Sequence, residues 1–134
     1  MGRLLAVTSG KGGAGKSSVS VHLASALSDM SNKVLLIDLD AGMRCLDIML
    51  GVSDILLFDL EDVLSGNKSL EDSVITPSCG KGNLHFLAAP LKNKIDIAGF
   101  LKLIDYALTK YDFVMLDFPA GPVDELYTAL PRYC

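Results

Sequence analysis

Gly10-Lys11-Gly12-Gly13-Ala14-Gly15-Lys16-Ser17, GKGGAGKS, matches the pattern G-x-x-x-x-G-K-[ST] over its full length. Its flanks decide what the match means. Leu4-Leu5-Ala6-Val7 is a short apolar strand pattern, and Val19, Leu23, Ala26, Leu27 and Met30 recur afterwards at helical spacing. Strand, loop and helix in that order form the context in which this pattern is a phosphate-binding loop. Gly10, Gly12, Gly13 and Gly15 let the backbone fold into a nest without Cβ clashes. The N–H groups of such a nest point at phosphate oxygens, and a helix starting near Lys16 adds the positive end of its dipole. Lys16 is placed to reach β- and γ-phosphates, and Ser17 to offer its hydroxyl to Mg²⁺. The whole run from Gly10 through Ala14 to Ser18 is expected to line a nucleotide triphosphate. Lys11 is not required by the loop geometry, and a lone lysine is by default a solvated surface charge.

The bulk properties fit one α/β domain. The chain has 134 residues, half of them hydrophobic, and a net charge of −4. That charge disfavours direct nucleic-acid binding by this segment. No apolar run approaches the length of a bilayer span, and the start, MGRLLAVTSG, lacks the apolar core of a signal peptide. Cys45, Cys79 and Cys134 form no C-x-x-C pair, as expected of reduced thiols in the cytosol. His22 and His85 have no second His or Cys nearby and read as structural. The acidic pairs Glu61-Asp62 and Glu71-Asp72 read as a solvated face.

Strand and helix patterns alternate along the chain. Further strands are expected at Lys33–Ile37, Leu84–Ala88 and Phe113–Leu116. Helices are expected at Leu46–Leu50, closed by Gly51, and at Asp59–Leu64, stopped by Gly66. A further one starts at Ser69, with Asp72 completing a pattern like a capping box. Ile95–Lys110 carries a stripe of Ile97, Leu101, Ile104 and Leu108, and Pro77–Asn83 is a loop. The expected architecture is a mostly parallel sheet covered by helices on both faces. Ligands of such sheets bind at the carboxyl ends of the strands.

Three aspartates fall at those ends. Asp117 follows four apolar residues and is a candidate to hold Mg²⁺. Asp38 and Asp40 form D-x-D just past the second strand pattern, one placed to sit near Mg²⁺ and the other to orient an attacking water. The competing reading is that one of them caps the following turn. Pro119-Ala120-Gly121 is a stiff and then flexible turn, suited to sensing a γ-phosphate.

KGGAGKS resembles the deviant Walker A motif of the MinD/ParA family of P-loop ATPases. LLIDLDAGMRCLDIMLG (Leu35–Gly51), FDLEDVLSGNKSLEDSVI (Phe58–Ile75) and FVMLDFPAG (Phe113–Gly121) are similar to further segments of that family, including its switch I and its Walker B and switch II regions. The GMRCLDIMLG segment resembles the MinD branch more than plasmid-type ParA. The resemblance implies a P-loop NTPase fold that binds ATP and Mg²⁺ and hydrolyses ATP slowly. It implies Lys11, Lys16 and Asp40 as catalytic residues, with Lys11 reaching the phosphates of a partner in an ATP-dependent homodimer. It implies Ser17, Asp38 and Asp117 as the metal set. Cys45 stands where the family usually has asparagine, and Ser17 where threonine is commoner.

Family members are about twice as long, so the chain reads as the N-terminal half of the domain, and as a fragment, a truncated product or a degenerate relative. The half that is missing from this reading would supply adenine recognition, much of the partner surface and a membrane-binding amphipathic helix. Pro131-Arg132-Tyr133-Cys134 is not such a helix. The implied role is division-site placement, with division-site regulators as partners. The expected location is the cytoplasm, peripheral at the inner face of the cell membrane in a full-length form. The alternatives are a ParA-like or flagellar-placement ATPase, or a nucleotide-binding module without turnover. Without further strands, Leu4–Val7 is expected to be an exposed sheet edge.

Overall fold

The computed structural model describes residues 2–7, 16–40, 45–78, 82–90 and 96–118. Four strands alternate with helices: β1 (Arg3–Val7), α1 (Lys16–Asp29), β2 (Val34–Asp38), α2 (Cys45–Met49), α3 (Leu60–Leu64), α4 (Leu70–Ser73), β3 (Leu84–Leu87), α5 (Ile97–Lys110) and β4 (Phe113–Asp117). The strands form one sheet in the order β1-β4-β2-β3, with every pairing parallel. The chain therefore crosses over β4 in passing from β1 to β2.

Period-two alternation divides the core into two layers. Leu35 and Ile37 of β2, Val114 and Leu116 of β4 and Leu87 of β3 pack with Leu60, Leu70, Phe100 and Ile104 on the α3–α5 side. Val34, Leu36, Met115, Leu84 and Phe86 pack with Ala24, Leu46 and Val52 on the α1–α2 side. All five β2 positions are buried. At about 1.5–3 kcal/mol for each fully buried large aliphatic side chain, this central strand is where a polar substitution would cost most.

Local signals set most element ends. Asp59 caps α3 in a reciprocal box: its carboxylate accepts from the Asp62 N–H at 3.3 Å, and the Asp62 carboxylate accepts from the Asp59 N–H at 2.9 Å. The Ser69 hydroxyl accepts from the Asp72 N–H at 3.1 Å and so caps α4. Gly66, with φ +82°, ends the α3 turn as expected. At α1 no glycine is present, and Ser31 takes φ 70° while the Asn32 side-chain amide donates to the Leu27 carbonyl at 2.9 Å.

Two helical stripes differ from the sequence expectation. On α5 the buried set is Phe100, Leu103, Ile104, Ala107 and Leu108, so Ile97 and Leu101 lie at its margin. On α1 the difference is larger. Val19 and Leu23 are 56 and 38% exposed, and Met30, just past the helix end, 72%, while Ser20, Ala24 and Ser28 are buried. Small residues at i, i+4 and i+8 let the helix approach the sheet closely. Val21 and Leu27 pack beside them against the same core layer, while Val19 and Leu23 stand on the outer face.

The two sheet edges are also unlike. Along β3, Ile75 and Phe86 exchange N–H···O bonds of 2.9 and 2.8 Å, and the Leu60 N–H donates to the Ala88 carbonyl at 3.0 Å. These contacts cover the outer edge of β3. Among the described residues nothing pairs with the outer edge of β1, and Ala6 is exposed there.

A polar cluster sits at the amino end of the sheet. His85 Nδ1 lies 2.6 Å from the Tyr111 hydroxyl, with the two rings edge to face at 5.4 Å, and Lys33 Nζ lies 5.4 Å from the centre of the Tyr111 ring. Burial pushes Tyr111 up to about 12, with the charge of Glu71 acting in the same direction. Burial, and then the charge of Lys33, hold His85 below its ordinary value of 6.5. The folded state thus disfavours the imidazolium relative to the unfolded chain. His85 contributes stability fully above pH 6.5 that is lost as pH falls from there toward its folded value. Thermal unfolding followed between pH 7.5 and pH 5.5 should show a falling midpoint, and His85→Gln should flatten that slope. An unchanged slope in the variant would remove His85 as its source.

Candidate functional site

The register of the central strands creates the site. In the β2–β4 pairing Asp38 is the partner of Asp117. The alternation that sends Val34 and Leu36 to the α1 side also sends Asp38 there. Met115 and Asp117 are related in the same way on β4. Two carboxylates, each 1% exposed, therefore stand on adjacent strands, at their carboxyl ends, beneath the helix that follows β1. Buried negative charges in such a position require hydrogen bonds or a cation in compensation.

Part of that compensation comes from hydrogen bonds. Ser20 Oγ donates to Asp117 Oδ1 at 2.9 Å. The Asp40 backbone N–H donates to Asp38 Oδ1 at 2.9 Å, an i to i+2 bond of the Asx-turn type. Asp38 thus shapes the turn that follows it. The Leu39 N–H continues the ladder by donating to the Asp117 carbonyl at 3.0 Å, and Leu39 packs on the α5 side. Asp40 comes next, beyond the strand and partly exposed. The two aspartates of D-x-D accordingly occupy different environments: one is buried against α1, and the other is open toward solvent.

Lys16 and Ser17 form the first residues of α1, directly after the glycine-rich loop. Their side chains, and Gly10, Lys11, Gly12, Gly13, Ala14 and Gly15, lie outside the described residues, as do Arg44, the Cys45 side chain, Cys79, Pro119-Ala120-Gly121 and Pro131–Cys134. Ser18 is described: its hydroxyl lies 3.3 Å from His22 Nδ1, one turn along the helix. The structure brings together Asp38, Asp117 and the start of α1, and places Asp40 at their margin.

Ser20 belongs to this site and is not among the residues that the sequence motifs single out. The signal that points to it is indirect: Ser20, Ala24 and Ser28 form a row of small residues at four-residue spacing. His85 lies at the opposite end of the sheet and takes no part. An open depression of about 550 Å³, lined by Val63, Leu64, Lys68, Leu70, Lys102 and Leu103 among others, lies on the α3–α5 side and is separate from the carboxylates.

The donor set bears on which cation could bind. Asp38 and Asp117 supply hard oxygen ligands, and among the described residues no group of three or more His, Cys, Asp or Glu forms a metal cage. This suits Mg²⁺, which is held by one or two carboxylates together with phosphates and water, better than zinc or a soft metal. No described helix is long and apolar enough to cross a membrane.

Comparison with known proteins agrees with this geometry. The CobQ/CobB/MinD/ParA nucleotide binding domain matches residues 5–115. The septum site-determining protein MinD of Helicobacter pylori is 38% identical over 124 residues, which are 90% of this chain and 46% of that protein. A chain of the MinC:MinD cell division protein complex of Aquifex aeolicus superposes with a TM-score of 0.82 at 33% identity, covering 96% of this chain and 52% of that one. MinD of Pyrococcus horikoshii complexed with Mg-ADP superposes with a TM-score of 0.73 at 35% identity, covering 91% of this chain and 51% of that one. The chain spans about half the length of the curated relatives that it matches. The match over residues 5–115, from within β1 to within β4, shows that the chain belongs to the CobQ/CobB/MinD/ParA nucleotide-binding domain family.

Proposed function

We propose that residues 1–134 form the N-terminal half of a MinD-type ATPase domain, an ATP-dependent dimer switch in division-site placement. The observation that carries this reading is the in-register, buried pair Asp38 and Asp117 beneath the helix that begins at Lys16. The Mg-ADP complex of the Pyrococcus relative supports the nucleotide and the metal. The MinC:MinD complex supports a MinC-type regulator as partner.

In this reading the N–H groups of Gly10, Gly12, Gly13, Ala14 and Gly15 cradle the phosphates, and the start of α1, including Ser18, adds its dipole. Lys16 contacts the β- and γ-phosphate oxygens. Ser17, Asp38 and Asp117 would hold Mg²⁺. Bound Mg²⁺ would neutralise charge on the phosphate oxygens. Asp40, partly open to solvent just beyond the metal pair, orients the attacking water. Phosphoryl transfer depends mainly on such positioning and charge placement, which suits a site assembled from strand ends and one helix start. Lys11 acts across the dimer, where its charge meets the partner's phosphates away from water. In a monomer it would be a solvated lysine of little consequence.

Lys16→Ala should weaken ATP binding by on the order of 10- to 100-fold, the equivalent of about 1.5–3 kcal/mol for a lost charged hydrogen bond. Calorimetric titration checks this, and parent-like binding would remove the phosphate-loop assignment.

Asp40→Ala should lower kcat by on the order of 100-fold or more while changing ATP affinity little, as expected of a group that acts in the transition state. Equal losses in binding and in rate would make Asp40 a ground-state ligand instead.

Lys11→Ala should leave nucleotide binding by the monomer intact and abolish ATP-dependent association. Sedimentation of parent and variant in the full-length protein, with and without ATP, is the measurement. Dimers of unchanged affinity in the variant would return Lys11 to an ordinary surface charge.

A further inference from the structure

We infer that Ser20 is a positioning residue for the metal site, acting through Asp117. This rests on the reading of Asp117 as a Mg²⁺ ligand in a nucleotide-binding site.

Ser20 lies inside α1, where serine has no helix-forming advantage. A serine within a helix ordinarily turns to solvent or bonds to a carbonyl of the preceding turn. Ser28, on the same face two turns later, follows that habit: its hydroxyl donates to the Ser25 carbonyl at 2.9 Å. Ser20 is fully buried and donates to a carboxylate 97 residues away in the chain. A hydroxyl buried there against a carboxylate costs less than one left without a partner, but an alanine would fill the same space with no polar group at all. Ala24, the next residue of the row, shows that the close approach of helix to sheet needs only a small side chain. What the hydroxyl adds is a hold on Asp117.

That hold has two consequences. A hydrogen bond to Oδ1 fixes the rotation of the carboxylate about its Cβ–Cγ bond, so the group meets a cation already oriented. The bond also ties β4 to the helix whose first residues, Lys16 and Ser17, leave the phosphate-binding loop. Ser20 is three residues beyond Ser17, less than one helical turn. Together with the apolar packing of Ala24 against the layer that contains Met115, this bond holds α1 and the end of β4 at a set spacing. Partners that orient metal ligands in this way typically change metal affinity by 10- to 100-fold when they are removed.

The test separates metal from nucleotide. ADP binding to the intact protein is titrated calorimetrically in EDTA and then at increasing Mg²⁺, for the parent, Ser20→Ala and Ser20→Cys. The thiol of Cys is close to the hydroxyl in size and is a weaker donor, so it guards against a packing defect in the alanine variant. The expected result is a metal-free ADP affinity within about twofold of the parent in both variants. The Mg²⁺ concentration for half-maximal tightening should rise about tenfold in Ser20→Ala, and by less in Ser20→Cys. A Mg²⁺ midpoint unchanged in both variants overturns the proposal, because Ser20 would then only fill space. An equal loss of metal-free ADP affinity also overturns it, because the hydroxyl would then support the loop in general rather than the metal ligand. A parent that binds ADP in neither condition overturns the nucleotide-site reading itself, and this inference falls with it.

Discussion

Parallel pairing of Val34–Asp38 with Phe113–Asp117 places the two buried carboxylates side by side, and the rest of the site is arranged around that register. A shift of one residue on either strand would send its aspartate to the α5 side, into a layer of Phe100, Ile104 and Leu108, and would carry every apolar residue of that strand to the opposite face. The hydrophobic cost of such a slip is large, because all five positions of β2 and four of five in β4 are buried. The apolar core therefore enforces the geometry of the polar site. Neither carboxylate has to contribute to folding for the pair to be in place.

Helix α1 illustrates the same dependence on packing. Its sheet-facing side sets the small, buried Ser20, Ala24 and Ser28 beside the partly buried Val21 and Leu27. The helix that follows the phosphate-binding loop lies near the strand tips as a result, and Ser20 comes within hydrogen-bond distance of Asp117. The outer face of the helix bears Val19 and Leu23, Met30 lies exposed just past its end, and no described strand covers the outer edge of β1. The opposite edge, β3, is bridged by Ile75 and by the start of α3.

The polar clusters at the two ends of the sheet have different chemistry for a physical reason. At the carboxyl ends, helix α1 points its first turn toward two acidic side chains, an arrangement suited to phosphate and a hard cation. At the amino ends, His85 and Tyr111 satisfy each other at 2.6 Å, and Lys33 lies over the tyrosine ring. That second cluster is closed on itself, and burial holds its histidine toward the neutral form.

Features governed by neighbours within a turn or two were legible in the sequence. These include the helix cap at Ser69, the stops at Gly51 and Gly66, the four strands to within a residue or so, and the strand-end positions of Asp38 and Asp117. Such features depend on backbone sterics and on hydrogen bonds spanning a few residues, which residue type at a given spacing largely determines. Tertiary structure alone decided the rest. Of the apolar pattern Val19, Leu23, Ala26, Leu27 and Met30, it turned Leu27 to the core together with Val21, Ser20, Ala24 and Ser28, and left Val19 and Leu23 outward, because the position of the sheet decides which side of a helix is covered. It separated Asp38 from Asp40, since the strand ends at Asp38 and the Asp40 N–H turns back to cap it. It also joined Ser20 to Asp117 across 97 residues, a contact set by strand order and register, which no local periodicity encodes.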